Sequence, residues 1–554
     1  MVRLQISMHK RGSDASQIAK TAKLKQIPCI ESFKNMFTLD LVLRLVDLLF
    51  IFKVHQPYRI REGFFWERNM FKRRAKDELF DFYFDNSKNK EIFNRAARKC
   101  YFPANDILLK AIDEFKHERK KVKVSFSMSG VFLEQCESFS PELLESFKEL
   151  SQTGCVEFLD QPYYHSLTGL YPVRDEFKEE VLMHRKLIKD LFHSEPNSFE
   201  NTELMYNNAI AKAVEKMGYG AIFTEGVDRI LKGRSPNYIY KAKGCDSLKV
   251  FLRNFKLTDD VAFRFSSRSW SDWPLTADKY ATWLAATPGQ CITIFPDYET
   301  FGEHHWPETG IHDFLKYLPR EILKYENLTM STPSEVLAKH RPVGEIDVGE
   351  LGGTVSWADI NRDTSGWIGN TTQWAYYTTS KELEPLVRES KDDQFLRLWR
   401  YFLTSDHMYY MFSAGGAPGE VHTYFSPYKS PTDAFVTAQG ALLDFESKLR
   451  NYVFAANEPF LFYEGPGEKN FTGIRAWSLT GLLSAVREVD ASLIEFHNKR
   501  GDFEKWASFS LLDKDLAKHF ERLRLSNVQG KELQEKLIAV VQAHLNKLRK
   551  TLIQ

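Results

Sequence analysis

Acidic, imidazole and aromatic side chains crowd into residues 295–306, whose sequence is FPDYETFGEHHW. This segment follows Ile292–Ile294, a β-branched run typical of a short buried strand. Within it Asp297 and Glu299 stand two residues apart, and His304 follows them. A loop that only reverses the chain is usually rich in glycine, proline, asparagine and serine. Carboxyl groups beside imidazoles and aromatic rings indicate instead a site that binds and cleaves a sugar.

Four further parts of the chain carry similar groups. They are FKVHQPY at 52–58, GCVEFL at 154–159 with YYHSL at 163–167, NTELMYNN at 201–208, and LWR at 398–400 with SDHMY at 405–409. Together with the 295–306 loop they resemble the five sequence regions of glycoside hydrolase family 57, the retaining α-glucan enzymes. The similarity extends from about Leu48 to about Leu449. A short string such as HQP occurs by chance, but five motifs in the same order are specific.

The resemblance implies the two catalytic groups. A retaining glycosidase uses two carboxyl groups about 5 Å apart, one to attack the anomeric carbon and one to protonate the leaving oxygen. By their match to the third and fourth regions, Glu203 is the expected nucleophile and Asp297 the expected acid/base. Each has a structural alternative. Glu203 could be a first-turn carboxylate of the helix predicted from Asn207 onward, and Asp297 could close a turn after its strand.

The resemblance also implies a set of substrate-binding residues. His55 is expected to hold a sugar hydroxyl in the innermost subsite, and Asp406 to orient the substrate or the acid/base. Glu299 could orient the site or pair with Arg253 or Arg264, and each tryptophan could stack on a sugar or simply fill the core. The residues expected to bind substrate are His55, Glu157, His165, Glu299, His304, Trp306, Asp406, Trp270 and Trp367.

Short apolar runs alternate with amphipathic segments, a pattern that predicts parallel βα units. The predicted strands are Leu48–Val54, Val122–Phe126, Val156–Leu159, Gly220–Phe223, Leu248–Leu252 and Ile292–Phe295. The clearest helical segments are Pro141–Gln152, Asp175–Leu191 and Ala209–Met217. Spacing alone does not separate a closed barrel from an open sheet. The resemblance implies an α/β fold in which an incomplete (β/α)7 barrel is followed by a helical domain.

Three domains and a leader are predicted. Residues 46–350 form the catalytic barrel, 351–454 a helical domain that completes the active site, and 455–554 a small, mainly helical C-terminal domain. The last resembles a helical domain of unknown function found in archaeal proteins, which suggests an archaeal source. Residues 1–45 precede the family resemblance, and we assign this leader no role.

Composition limits the partners and the compartment. The 554 residues include 75 basic and 74 acidic side chains, a net charge of +1, whereas a nucleic-acid-binding protein usually has a basic excess. The six cysteines form no CxxC pair, which favours buried free thiols and a cytoplasmic location over disulfides or a zinc site. We find no secretory signal, and the apolar stretch 39–52 is too short and too charged to span a bilayer.

Two other classes of function compete with a glycosidase. A metal-dependent deacetylase or mannosidase on a similar barrel would need a carboxylate–imidazole ligand set. Here the first strand ends in HQP rather than an His-x-Asp pair, and His304 and His305 are adjacent, so on an extended segment they would point to opposite faces. A non-catalytic glucan-binding protein would be expected to lack a catalytic carboxylate, yet both are present. Neither a metal nor another cofactor is expected.

The acceptor of the glycosyl unit decides the activity. Water gives an α-amylase, a sugar 4-hydroxyl a 4-α-glucanotransferase, and a sugar 6-hydroxyl a branching enzyme. The chain length and the TELMYNN form of the third region resemble those of the family's α-amylases. This resemblance implies an α-amylase that acts on starch, glycogen or maltooligosaccharides.

Overall fold

The computed structural model describes residues 45–349, 353–358, 361–413 and 426–553, so residues 1–44 of the predicted leader lie outside the described ranges. The strands are β1 (Val46–Val54), β2 (Val124–Met128), β3 (Val156–Leu159), β4 (Ser198–Glu200), β5 (Ala221–Glu225), β6 (Tyr240–Ala242), β7 (Lys249–Arg253), β8 (Cys291–Ile294), β9 (Leu328–Met330), β10 (Glu345–Ile346), β11 (Ala455–Tyr463) and β12 (Phe471–Ser478).

The α-helices alternate with strands in the first part of the chain and then follow one another. They are Leu79–Tyr83, Asn86–Ala96, Phe102–Glu114, Gly130–Phe139, Pro141–Gln152, Asp175–Phe192, Asn208–Lys216, Asp228–Leu231, Phe255–Ala262, Ala277–Ala286, Ile311–Leu323, Pro333–Lys339, Ser365–Ile368, Thr371–Glu382, Glu384–Ser390, Asp393–Phe402, Ser405–Tyr409, Pro431–Val453, Leu479–Glu488, Ala491–Arg500, Asp502–Phe509, Lys514–Leu525 and Gly530–Ile553. Among the described residues no helix is both long and apolar enough to cross a membrane.

Seven parallel strands close into a ring. β1 pairs with β2 and β8, β2 with β3, β4 with β5, and β5 with β7. Two narrow contacts complete the circle: Arg253 of β7 pairs with Thr293 of β8, and Asp160, just after β3, bridges to Phe199 of β4. A ring of seven βα units is one short of the usual eight. The predicted α/β fold, an incomplete (β/α)7 barrel, is therefore confirmed, and the open-sheet alternative is wrong.

The first strand, β1, shows how the barrel core leads to the site. All nine of its residues are buried, as expected for a parallel strand covered on both faces. Alternate residues face opposite sides. Leu48 and Phe52 pack in a core with the surrounding helices, whereas Leu49 and Ile51 belong to a cluster shared with neighbouring strands of the ring. Lys53 has the same parity as Leu49 and Ile51, and so stands on the inward side at the carboxyl end.

The segment after the barrel is helical and packs onto the barrel's loops. Trp399 shares a hydrophobic core with Tyr58 and Tyr164, which lie in the loops after β1 and β3. The backbone N–H of Ser405 donates to the carbonyl oxygen of His165 at 3.0 Å. These contacts bring helix Ser405–Tyr409 to the carboxyl ends of the strands.

The C-terminal part combines a β-hairpin with helices. β11 and β12 pair antiparallel, and the following helices pack on them around a separate core. The carboxylate of Glu389 accepts hydrogen bonds from the Trp477 N–H (2.7 Å) and from the Ser478 hydroxyl, which joins this part to the helical segment. The domain boundaries, and the resemblance of this part to a domain of unknown function, stay predictions.

Gly302 allows the 295–306 loop to lie against the π-helical turn Ala97–Tyr101, which contains Lys99. Its φ is 140°, and a Cβ atom at this position would overlap the carbonyl oxygen of Lys99. The Cys100 thiol also approaches the loop, 3.0 Å from the carbonyl oxygen of Tyr298. The loop therefore depends on a glycine for both its backbone conformation and its close approach.

Replacing Gly302 with alanine should destabilise the protein by roughly 2–4 kcal/mol, because it adds a clash with backbone to an unfavourable φ. Thermal unfolding of Gly302→Ala, followed by calorimetry, measures this. Gly310→Ala is the matched control: its φ is also positive, at 85°, but its Cβ would meet open space, so we expect a loss of only about 1 kcal/mol. Equal losses in both variants would contradict the close-approach argument.

Candidate active site

A cleft of about 630 Å³ opens at the carboxyl ends of the barrel strands, where a βα barrel places its active site. Residues from distant parts of the sequence line it: Lys53 and His55 at the end of β1, Glu203 after β4, Asp297 after β8, and Asp406 from the helical segment. The cleft thus joins side chains from the barrel and the helical segment.

The backbone around Glu203 is unusual. The residue lies in the single turn Thr202–Leu204, where Glu203 and Leu204 both have positive φ, 59° and 53°. Helix Asn208–Lys216 begins later, and Asn207 caps it. The alternative that Glu203 is a first-turn carboxylate of that helix is therefore wrong.

Four side chains surround the Glu203 carboxyl group. His165 Nε2 and Ser405 Oγ each lie 3.1 Å from Oε1, Trp357 Nε1 donates to Oε2 at 2.7 Å, and Lys53 Nζ lies 3.9 Å from Oε2. Burial by itself raises the pKa of this group, but Lys53 and the hydrogen bonds from His165 and Trp357 hold the pKa well below its usual range. Glu203 is therefore ionised at neutral pH, the form that a nucleophile requires.

Asp297 faces the same cleft in the opposite protonation state. Burial raises the pKa of its carboxyl group to about 7, the negative charge of Glu203 adds to the rise, and Lys53 and Arg253 oppose it. Its side chain makes no hydrogen bond that caps the turn Tyr298–Thr300, so the turn-closing alternative is wrong. One carboxyl group is charged and the other holds its proton in slightly acidic solution, as an acid–nucleophile pair needs.

His55 connects the barrel to the helical segment. Its Nδ1 lies 2.7 Å from Ser129 Oγ, and its Nε2 lies 2.9 Å from Asp406 Oδ2. The ring of His55 also lies against that of His165, with centroids 4.1 Å apart and planes tilted by 34°. Burial would raise the pKa of Asp406, but His55 holds it below its usual value. The pKa of His165 falls to about 3 because of burial and the nearby Lys53 charge.

Glu299 is held by neutral partners. Tyr101 donates a short hydrogen bond to its Oε1, and Gln56 Nε2 lies 3.5 Å from the same atom. The suggested pairing with Arg253 or Arg264 is therefore wrong. Burial and the adjacent Asp297 raise the pKa of Glu299 to about 8, so its carboxyl group is protonated at neutral pH.

The remaining expected residues divide between the cleft and other places. His304, Trp306 and Trp367 line the cleft, with Trp306 at its rim and Trp367 buried in its wall. Glu157 and Trp270 are not among the residues that line it.

Glu157 contacts the opposite end of the barrel. It accepts hydrogen bonds from the N–H and hydroxyl of Ser334, at 3.0 and 2.9 Å. Ser334 belongs to helix Pro333–Lys339, whose Lys339 binds Asp47 near the start of β1. Burial raises the pKa of Glu157, but the carboxyl group faces away from the catalytic end, so its expected role in lining the site is not supported.

The family model described as Glycosyl hydrolase family 57 matches residues 49–349. The chain belongs to glycosyl hydrolase family 57. A provisionally named alpha-amylase of Methanocaldococcus jannaschii is 45% identical over 407 residues, which are 72% of this chain and 84% of that protein. A 4-alpha-glucanotransferase of Thermococcus litoralis is 24% identical over 46% of this chain and 37% of its own length. The solved branching enzyme of Pyrococcus horikoshii shares the fold, with a TM-score of 0.52 at 15% identity over 74% of this chain and 90% of that one.

The family 57 site contains residues that the sequence argument did not assign. Lys53 lies within the first motif, in which only His55, two residues later, is predicted to have a role. Trp357, like the other tryptophans, is predicted from sequence either to stack on a sugar or to fill the core, yet its N–H binds Glu203. Ser405 lies in the SDHMY motif, for which the sequence predicts a role for Asp406 alone. A lysine inside the apolar run VDLLFIFKV is the one available signal, because lysine is almost never fully buried without a partner.

No metal centre is arranged around this family 57 cleft in the part of the chain that the structure describes. There, no three or more histidine, cysteine or acidic side chains are grouped as metal ligands. Imidazoles in the described cleft, such as those of His55 and His165, instead contact hydroxyl, carboxylate and amide groups. His305 lies 2.9 Å from Ser266 Oγ and 3.0 Å from the carbonyl oxygens of Val261 and Ala262.

The kcat/KM of the enzyme on a natural glycoside should fall as pH rises above about 7, because Asp297 then loses the proton that the leaving oxygen needs. Initial rates across pH measure this limb. A glycosyl fluoride is the control substrate, since fluoride leaves without general acid help, and its kcat/KM should stay level through the same range. An identical limb for both substrates would contradict the role of Asp297 as acid.

Trp357→Phe should lower kcat/KM by roughly 10- to 100-fold, because it deletes a hydrogen bond to a charged carboxylate and keeps an aromatic ring. Steady-state kinetics measures the loss. Trp270→Phe is the matched control: Trp270 packs near Trp283 (centroids 6.2 Å apart), away from the cleft, so its kinetics should match the wild type. Equal kinetics in both variants would remove Trp357 from the catalytic machinery.

Proposed function

We propose that this family 57 enzyme cleaves α-1,4-glucans with retention of configuration, with Glu203 as nucleophile and Asp297 as acid/base. One observation carries the proposal: two carboxyl groups in one cleft hold opposite protonation states, Glu203 ionised and Asp297 protonated up to about pH 7. Retaining glycosidases use such a pair.

In the first step Glu203 attacks the anomeric carbon while Asp297 gives its proton to the glycosidic oxygen. The bond between the anomeric carbon and that oxygen breaks, the leaving sugar departs with the proton, and a glycosyl ester forms on Glu203. The Trp357 N–H and the Ser405 hydroxyl orient the attacking carboxylate, and His55 and Asp406 stand beside it to hold sugar hydroxyls.

In the second step Asp297, now a carboxylate, takes a proton from the acceptor. The acceptor oxygen attacks the anomeric carbon, the ester bond breaks, and Glu203 leaves as a carboxylate. Both groups return to their starting states. Hydrolysis and transfer share this chemistry and differ only in whether water or a sugar hydroxyl reaches the ester.

We favour hydrolysis, an α-amylase activity, on starch, glycogen or maltooligosaccharides. The Methanocaldococcus jannaschii relative, which matches most of the chain, carries the alpha-amylase name. At the cleft, Trp306 and Phe263 are 56% and 55% exposed and offer apolar faces to sugar rings. Transfer is the second candidate, because the name of the Thermococcus litoralis relative, 4-alpha-glucanotransferase, is a transfer activity.

We further propose a cytoplasmic location. Five cysteines among the described residues are buried and unpaired. Secreted proteins more often join such residues in disulfides, whereas reducing compartments keep them as thiols.

Product analysis tests the activity. Incubation of the purified enzyme with maltoheptaose or soluble starch should give shorter oligosaccharides and new reducing ends. Longer and shorter linear products at a constant number of reducing ends would favour 4-α-transfer, and new branch points would favour a branching enzyme. Glu203→Gln and Asp297→Asn should abolish any of these patterns.

The same samples decide the non-catalytic alternative. If the wild type binds starch but leaves both substrates unchanged across temperature and pH, the enzyme proposal fails and glucan binding becomes the function. If both variants keep wild-type rates, the activity belongs to other residues.

A further inference from the structure

Lys53 and Glu200 form a buried ion pair next to both proposed catalytic carboxyl groups. Lys53 Nζ lies 2.8 Å from Glu200 Oε1 and 3.9 Å from Glu203 Oε2, and the Lys53 backbone bridges to Asp297. The two side chains are 3% and 0% exposed. A buried ion pair contributes little stability compared with packed apolar side chains of the same size. Its position among the reacting groups therefore calls for a chemical explanation.

Lys53 is the cation available to Glu203. Two further buried cations line the cleft, and both have other partners. Arg253 is occupied by Glu225 and Asp259, at 2.8 and 2.7 Å, and Arg59 donates to the Gln56 side chain at 3.2 Å and to the Pro57 carbonyl oxygen at 3.3 Å. His165 is neutral because its pKa falls to about 3. On its other side, Glu200 is fixed by the Ser127 hydroxyl, which donates to Oε2 at 2.6 Å. The titratable and charged groups around Lys53 are Glu200 of β4, Glu203 of the next turn, Asp297 after β8, His165 after β3, His55 after β1 and Arg253 of β7. Glu299, two residues after Asp297, is a further carboxyl group that interacts with Asp297.

We propose that Lys53 and Glu200 are positioning residues that set which of the two carboxyl groups is charged. The Lys53 ammonium keeps Glu203 ionised, and Glu200 offsets enough of that positive charge for Asp297 to keep its proton. This inference rests on the proposed function and adds to it the pair of charges that divides the roles. Neither residue touches the substrate's reacting bond in this account.

The two members of the pair act on Asp297 with opposite signs. Lys53 lowers the pKa of Asp297, and Glu200 raises it, with Lys53 the larger influence. Removal of the ammonium therefore lets Asp297 keep its proton to higher pH. Removal of the Glu200 charge leaves Lys53 less well balanced and makes Asp297 lose its proton at lower pH. A residue that only maintained the fold would change the rate without moving these titrations.

The test is the pH dependence of kcat/KM on a maltooligosaccharide. In Lys53→Met the basic limb should move up by about one pH unit, the size expected when a neighbouring opposite charge is lost. In Glu200→Gln it should move down. Lys243→Met is the matched control, because Lys243 also pairs with a glutamate, Glu345, at 3.0 Å, but it is exposed and follows β6, which is not one of the seven ring strands. The basic limb of this variant should not move.

The double variant Lys53→Met/Glu200→Gln covers the case in which a single variant leaves an unpaired buried charge and fails to fold. Its limb should still move up, by less than in Lys53→Met, because the larger influence is lost. Reduced rates with unmoved limbs, or movement of both single variants in one direction, would overturn the inference.

A readout that needs no turnover separates this inference from the proposed function. The infrared band of a protonated carboxyl group can be assigned to Asp297 by its loss in Asp297→Asn. The pH at which this band disappears should be higher in Lys53→Met and lower in Glu200→Gln than in the wild type. If the wild type cleaves no glucan, the proposed function fails while this titration still decides the charge division. If glucans are cleaved and the band titrates alike in all variants, the charge division alone is wrong.

Discussion

The catalytic end of the barrel depends on the balance of charges that the fold has removed from water. An ammonium group in an apolar interior needs carboxylates close by, and buried carboxylates need a cation or hydrogen-bond donors. Lys53 stands on the inward side of a fully buried strand, so Glu200 and Glu203 must come to it. The contacts that make the buried lysine tolerable are thus the same ones that bring the turn after β4 to its place beside Asp297.

The site also needs a part of the chain that lies outside the barrel. Ser405 reaches Glu203, and Asp406 reaches His55, from a helix that follows the barrel by many residues. This helix is held over the strand ends by the aromatic core around Trp399 and by the backbone bond from Ser405 to His165. The barrel alone would present Glu203 with fewer hydrogen-bond donors and His55 without its carboxylate, so the helical segment is a component of the site.

The sequence predicted the broad fold because its strand signals are strong. The run that became β1 and the β-branched stretch before Asp297 were both correctly placed, and the motif order placed Glu203 and Asp297 in one cleft. β4 was missed because three residues, Ser198–Glu200, are too few to show a period. For the same reason nothing in the sequence indicated that Glu200, the last residue of β4, is the partner of Lys53.

Errors at the level of side chains have a common cause. Glu157 lies in a correctly predicted strand, yet it contacts Ser334 at the end of the barrel opposite the cleft. A polar residue in a predicted strand does not show at which end of the barrel its side chain lies. For Glu299 the sequence suggested pairing with Arg253 or Arg264. Its actual partners, Tyr101 and Gln56, lie about 200 or more residues earlier in the chain. Pairings between distant residues depend on the closed ring, which local patterns do not contain.

The turn that carries Glu203 has a consequence for how the enzyme tolerates heat. Two successive residues with positive φ are strained for side chains other than glycine. The surroundings hold the turn in this shape: Leu204 is fully buried, its carbonyl oxygen accepts from the Thr224 hydroxyl at 3.0 Å, and the Glu203 carbonyl oxygen accepts from the Ser356 hydroxyl at 3.0 Å. Such a turn relaxes as soon as its surroundings loosen. On warming, loss of activity should therefore precede melting of the barrel. The midpoint temperature for inactivation would then lie below the midpoint temperature for unfolding.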